Sequence, residues 1–166
     1  MGCCFSHECG LQDRNTPDIH QQLDGVTDTS DESVLREIKL GGDFSYDGHT
    51  CLAKVVDVYD GDTIRIAFIY NGIKIQYKSR MAGFDSPEMK PLLSKPNREI
   101  EKAAAIVARD ALRGKILNQV VNVKCGKFDK YGRVLITVHL YGENINQWML
   151  ANGYGVPYNG GTKPTY

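Results

Sequence analysis

Between Leu52 and Met81 apolar and polar residues alternate in three short runs, broken only at Tyr59-Asp60-Gly61-Asp62 and at Asn71-Gly72. Asn-Gly and Asp-Gly are the pairs that most readily supply the backbone of a tight hairpin turn. Leu52–Val58, Thr63–Tyr70 and Ile73–Met81 are therefore predicted to be three antiparallel strands in quick succession, with Ile64, Ile66 and Phe68 on one face of the second. Lys90–Asn97, which carries Pro91 and Pro96, reads as a surface loop suited to the edge of a cleft. Arg98–Arg113 has the helical period, with Ile100, Ala104, Val107, Ala108 and Ala111 as the expected core stripe and Gly114 as the expected stop. Val120–Lys124 and Val134–Leu140 are predicted as two further strands, joined through Gly126–Arg133. Ile145–Asn152 reads as a short closing helix ended by Gly153, with Trp148 in the core. Five strands grouped three and two, with one helix between the groups and one after, predict an α+β fold that is mainly β: a five-stranded, partly open barrel of the oligonucleotide-binding (OB-fold) type with two helices. The chain contains no internal repeat.

A length of 166 residues allows one such domain plus a tail, and the charge marks where the tail lies. Residues 1–50 hold ten Asp and Glu against three Lys and Arg, and residues 51–166 hold ten against seventeen, so a net charge of zero hides an acidic tail and a basic body. A basic body suits a polyanion, although a solvated face explains any single Lys or Arg. Five cysteines at unrelated spacings argue against a disulfide framework and for a reducing compartment. No apolar run is long enough to span a bilayer, and the N-terminus lacks the apolar core of a secretory signal. Met1-Gly2-Cys3-Cys4-Phe5-Ser6 does fit myristoylation of Gly2, with palmitoylation of Cys3 and Cys4 as the second signal that stable attachment needs. The alternative is a zinc cluster of Cys3, Cys4, His7 and Cys9, against which stands the lack of a second Cys/His pair at finger spacing. Dual acylation implies a eukaryotic cell or a virus infecting one, and a place on the cytoplasmic face of a membrane, the plasma membrane above all. Residues 1–47 are thus expected to form a lipid-anchored, acidic, largely disordered tether, with one short helix over Ser33–Leu40, and residues 48–166 the folded domain.

Three turns carry polar residues that a barrel does not require: Asp60-Gly61-Asp62-Thr63, Arg80 to Glu88 with its Asp85-Ser86-Pro87-Glu88 end, and Asp129-Lys130-Tyr131-Gly132-Arg133. Within the second, Arg80 suits bidentate phosphate binding, Asp85 a hard cation and Glu88 proton transfer. The plainer reading of that stretch is a strand end, a turn at Gly83, and Ser86 capping a short helix that starts at Pro87. Each turn alone is unremarkable as a hairpin or loop. Their order, separated by the expected strands and helix, is specific.

In these motifs the chain resembles the staphylococcal nuclease (thermonuclease) family over about Leu52–Tyr158. The resemblance implies that Asp62 and Asp85 bind one Ca²⁺ through their carboxylates, with the backbone carbonyl of Ser86 as a third ligand. It implies that Glu88 orients or deprotonates the attacking water, and that Arg80 and Arg133 grip the scissile phosphate. Tyr131 and Tyr158 match tyrosines near the nucleotide, Tyr158 only across a gap, and Lys130 is a phosphate contact. Oxygen ligands with no His or Cys beside them favour Ca²⁺ or Mg²⁺ over zinc, and two carboxylates with a carbonyl suffice for one ion. Ser86 stands where founding members have Thr, and the bacterial members continue into a further helix beyond the point matching Tyr166. A lipidation signal joined to such a domain resembles plant membrane-attached calcium-dependent nucleases. The expected activity is calcium-dependent hydrolysis of DNA and RNA, single strands favoured, to 3′-phosphate products, with the membrane as the other partner and no protein partner evident. Two readings compete: a nuclease-like module that binds single strands without cutting them, and a lipid-anchored protein-interaction adaptor. Retention of Asp62, Asp85, Glu88 and both arginines favours catalysis.

Overall fold

The computed structural model describes residues 44–162. The lipidation candidates Gly2, Cys3 and Cys4, the expected Ser33–Leu40 helix and nearly all of the expected tether lie outside the described residues. Tyr46, which falls inside the expected tether, is 5% exposed and packs edge-on against Phe68, Tyr70 and Tyr77 at one end of the barrel.

The elements are β1 (Thr50–Val58), β2 (Thr63–Tyr70), β3 (Ile73–Met81), β4 (Phe84–Asp85), α1 (Arg98–Ile116), β5 (Val120–Phe128), β6 (Val134–Leu140), β7 (Glu143–Asn144), α2 (Ile145–Ala151) and β8 (Val156–Pro157). The main sheet runs β3-β2-β1-β5-β6-β7, and β3 also pairs in parallel with β6 through Ser79, Arg80 and Met81 opposite Val134, Leu135 and Ile136. That pairing closes β1, β2, β3, β5 and β6 into a five-stranded barrel, so the expected partly open barrel is closed. Val134, Ile136, Val138 and Leu140 alternate inward along β6, and with Val55, Ile64, Ile66, Val121 and Val123 they fill the interior. Closure removes the free edges that an open sheet would expose. Among the described residues no helix is long and apolar enough to cross a membrane.

Helix α1 departs from its sequence reading in two ways. Its buried face is Glu101, Ala105, Ala108, Leu112 and Ile116, whereas Ile100 and Val107 of the expected stripe are 72% and 59% exposed. Both sets have helical spacing and lie on adjacent faces. Leu112 and Ile116 carry the larger apolar surface and decide which face turns inward. The helix also passes through Gly114 and ends at Ile116, three residues later than expected; just beyond it Asn118 takes a left-handed backbone (φ 63°) and its N–H donates to Val55 O at 2.9 Å. Strand β5 likewise continues past Lys124 to Phe128, with a register irregularity between Cys125 and Phe128.

Two short-range devices hold the end of β3 in place. Asn146 on α2 is buried, and its side chain accepts from Val138 N–H and donates to Ala82 O and Ile136 O, each at 2.9 Å, tying α2 to β6 and to the turn after β3. Strand β8 pairs with β4, and Gly155 comes so close that a Cβ there would lie 2.6 Å from Asp85 O. Only glycine fits that approach.

Candidate active site

The register of the barrel brings the three polar turns together. Thr63, at the start of β2, is paired with Arg80 on β3, and Arg80 is paired on its other side with Leu135 of β6, just after the Asp129–Arg133 turn. Met81 N–H donates to Asp62 O at 2.7 Å, which fixes the first turn against the end of β3. Gly61 packs the first turn onto the second and onto α1, since a Cβ there would meet Ser86 Cβ at 2.8 Å and Ala108 Cβ at 3.0 Å. Residues 86–88 form no helix, so Ser86-Pro87 is a corner and not the start of a capped helix.

One chain of polar contacts runs across the three turns. Arg80 Nη1 lies 2.8 Å from Asp62 Oδ2, and Nη2 lies 2.6 Å from Asp85 Oδ1 and donates to Phe84 O at 3.3 Å. Asp62 Oδ2 also accepts from Ser86 N–H at 3.2 Å, and Asp62 Oδ1 accepts from the Thr63 hydroxyl at 2.9 Å. The same hydroxyl oxygen accepts from Arg133 Nη1 at 3.2 Å. Asp129 holds Arg133 in turn, through Nε and Nη2 at 2.7 Å each, and accepts from the backbone N–H groups of Arg133 and Tyr131 at 2.9 Å. Asp62, Arg80, Asp85 and Ser86 are all buried, so these charges are little screened by solvent.

Burial and the neighbouring Asp60 charge push the Asp62 carboxyl up to about 7, against the pull of Arg80, the Thr63 hydroxyl and the Ser86 N–H. Burial works against the charge on Arg80, but Asp62 and Asp85 outweigh it and raise its pKa. Burial also works against the Asp129 carboxylate, and the donors of Arg133 and Tyr131 more than offset it, leaving Asp129 below its ordinary value.

An open cleft of about 850 Å³ is lined by Asp62, Arg80, Ser86, Glu88, Lys130, Tyr131, Arg133 and Tyr158 among others. Asp85 stands behind Arg80 and does not line it. Tyr131 is exposed on the rim, with Lys130 Nζ 5.1 Å and Arg133 Cζ 5.5 Å from its ring centroid. Tyr158, placed by sequence only across a gap, reaches the same cleft because its N–H donates to Gly83 O at 3.1 Å, just beyond the β4–β8 pair; its ring lies 6.0 Å from Arg80 Cζ. Every expected site residue of the domain is therefore at this cleft or in contact with a residue that lines it.

Four polar side chains of the neighbourhood carry no role in the sequence reading. Asp60 is buried, and its Oδ1 accepts from Asp62 N–H at 3.0 Å. Thr63 and Asp129 link and hold the cationic groups as described. These three stand inside the motifs, so the Asp-x-Asp-Thr and Asp-x-x-x-Arg spacings were the available signal. Glu101 lies behind the loop, and nothing in its local sequence distinguishes it from a solvated helix residue.

The donor set fits a hard cation. The Asp62 and Asp85 carboxylates already converge on one positive group, the Arg80 guanidinium, and carboxylate oxygens are the ligands that hard cations take. Among the described residues no three His, Cys, Asp or Glu side chains form a metal-holding cluster, so a cation held here would need further ligands from backbone oxygen or water. In comparison with known proteins, the sequence model of one family, described as staphylococcal nuclease homologue, matches residues 78–165, more than half of the chain. The match takes in Arg80, Asp85, Ser86, Glu88 and Arg133 and begins after Asp62. No curated protein matches the chain.

Proposed function

The chain belongs to the staphylococcal nuclease family, and from that premise we propose that it is a calcium-dependent nuclease that hydrolyses phosphodiester bonds of DNA and RNA, with a preference for single strands, to 3′-phosphate products. The observation that carries this reading is the unbroken contact chain from Asp85 through Arg80, Asp62, Thr63 and Arg133 to Asp129, on a cleft that Glu88 also lines. A barrel needs none of these charges, and burying them costs free energy that packing alone does not return.

Asp62, Asp85 and the Ser86 carbonyl are the ligands for one Ca²⁺, which when bound supplies positive charge against the phosphate. Glu88, partly buried in the cleft wall, orients the attacking water and takes its proton. Arg80 and Arg133 bind the scissile phosphate and stabilise the charge that grows as phosphorus becomes five-coordinate, and Arg133 also assists the leaving oxygen. A guanidinium has five donors, so Arg80 can keep its carboxylate contacts and still reach a phosphate oxygen. Asp129 and Thr63 fix Arg133 beforehand, which spares its ordering at the moment of reaction. Tyr131 and Tyr158 offer flat faces for bases, and Lys130 a phosphate contact, an arrangement suited to unpaired strands. Acylation of Gly2, Cys3 and Cys4 would hold this activity at the cytoplasmic face of a membrane; an unmodified N-terminal peptide in mass spectra of the protein from a eukaryotic cell would remove that part of the proposal.

The test incubates the full chain with single-stranded DNA, duplex DNA and RNA, in Ca²⁺ or in chelator. Cutting in Ca²⁺ alone, with products ending in 3′-phosphate, is expected. Glu88→Gln and Arg80→Ala should each lower the rate by roughly 100- to 1,000-fold, the usual effect of removing one such group. Strands that bind in Ca²⁺ and stay intact would establish the non-catalytic binding module instead.

A further inference from the structure

Glu101 is the one carboxylate on the buried face of α1, and it is 2% exposed. It replaces what the pattern Ala105, Ala108, Leu112, Ile116 would otherwise make an apolar position. Carboxylates are almost never so deeply buried unless paired. Its Oε2 lies 2.8 Å from Lys95 Nζ, and its Oε1 accepts from the backbone N–H of Glu88 at 3.4 Å. One side chain thus touches the connection that leads from the Ser86-Pro87 corner to α1 near both of its ends. Arg98 Nε adds a bond to Pro91 O at 3.4 Å in the same connection. Glu101 does not line the cleft, and its polar contacts go to Lys95 and the Glu88 amide.

We propose that Glu101 is a positioning residue for Glu88: it holds the Glu88 backbone, and the loop that follows, against the rigid helix so that the Glu88 carboxylate is presented at a fixed place in the cleft. The inference rests on the nuclease reading and assigns a further residue to it. The physical need is plain. A general base on a corner that runs into a proline-bearing loop has no regular secondary structure to hold it, and a displacement of about 1 Å at a reacting group costs on the order of a hundredfold in rate. Helix α1 is a rigid element, anchored through Ala105, Ala108, Leu112 and Ile116. Its carboxylate transmits that rigidity by bonding the Glu88 amide, while Lys95 balances the buried charge.

Leucine and glutamine at this position separate positioning from mere structure. Glu101→Leu puts an apolar group of similar size in place of the carboxylate; Lys95, whose side chain is 34% exposed, can turn to water, but the Glu88 N–H loses its acceptor, so some stability is lost. The full-length Leu variant should therefore melt somewhat below the wild-type temperature while staying folded at the assay temperature, and cut a single-stranded oligonucleotide with kcat lowered by roughly ten- to a hundredfold and KM changed by less than about twofold. Glu101→Gln keeps an acceptor for the Glu88 N–H and should recover kcat to within about threefold of wild type. A folded Leu variant with wild-type kcat, or a Gln variant no better than Leu, overturns the proposal. A second measurement depends neither on the variants folding nor on catalysis: in the wild-type chain the Glu88 amide should be protected from hydrogen exchange, and exchange at the rate of an open amide overturns the proposal. If the wild-type chain fails to cut in Ca²⁺ while that amide is protected, it is the nuclease reading that fails and the contact that stands.

Discussion

Gly61 sits where the first turn, the Ser86 corner and α1 meet, and replacing it with alanine tests whether their close approach builds the site. The added Cβ would lie 2.8 Å from Ser86 Cβ, 3.0 Å from Ser86 Oγ and 3.0 Å from Ala108 Cβ. Carbon atoms rest about 3.5–4.0 Å apart, so the two turns must separate by roughly 0.7 Å or more. Neither neighbour is the tip of a flexible chain. Ala108 is 1% exposed on the helix face that enters the core, so most of the movement falls on Ser86. Overpacking of this kind costs about 1–3 kcal/mol. The same movement stretches the 3.2 Å bond from Ser86 N–H to Asp62 Oδ2 and shifts the Ser86 carbonyl relative to both aspartates. Gly61→Ala should therefore lower the unfolding free energy by about 1–3 kcal/mol without Ca²⁺, and by more with Ca²⁺ present, because the variant loses part of the stabilisation that ligand binding adds. The chain has a single tryptophan, Trp148, packed partly against the core, so urea titrations followed by its fluorescence, with and without Ca²⁺, measure both effects. Equal midpoints for variant and wild type in both conditions would refute the argument that Gly61 is required for space.

Three further outcomes follow from the same geometry. Gly114 lies inside α1 with nothing within 4 Å of an added Cβ and an ordinary backbone angle, so Gly114→Ala should stabilise the protein by about 0.5–1 kcal/mol in urea unfolding; a loss of stability would mean that the helix ends there after all. The Asp62 pKa, raised from 3.8 to about 7 by burial and by Asp60, means that the folded, metal-free protein binds a proton at Asp62 that the unfolded chain does not bind between those values, so its stability should fall as pH rises from about 4 to 7; Ca²⁺ must displace that proton, and calorimetric affinity should weaken by up to about tenfold for each pH unit below 7, whereas an affinity constant from about pH 5 to 7 would refute the assignment of Asp62 as a ligand. Asn146→Ala removes the partner of Val138 N–H, Ala82 O and Ile136 O and should cost about 2–3 kcal/mol in unfolding experiments; an unchanged midpoint would show that these bonds add nothing net.

The parts of this protein that were legible in its sequence are those where local and global demands coincide. Asn71-Gly72 can form a tight turn only with a positive backbone angle at both residues, and both have one, φ 49° and 81°; the strands on either side are then bound to pair, as Tyr70 and Ile73 do. The site motifs were legible for a related reason: Asp-Gly-Asp-Thr and Asp-Lys-Tyr-Gly-Arg are short enough that the chain itself brings their polar groups near one another. What escaped was set by contacts between distant segments. Barrel closure depends on Ser79–Met81 meeting Val134–Ile136 in parallel, which no hairpin signal announces. On α1 two apolar faces of similar spacing compete, and Glu101 makes the buried one look polar. A carboxylate read as solvated from its neighbours in sequence is buried because Lys95 and the Glu88 amide meet it in space. The buried face that the helix's sequence disguises thus carries the residue that touches the proposed general base, as expected when a residue is kept for the site and not for the fold.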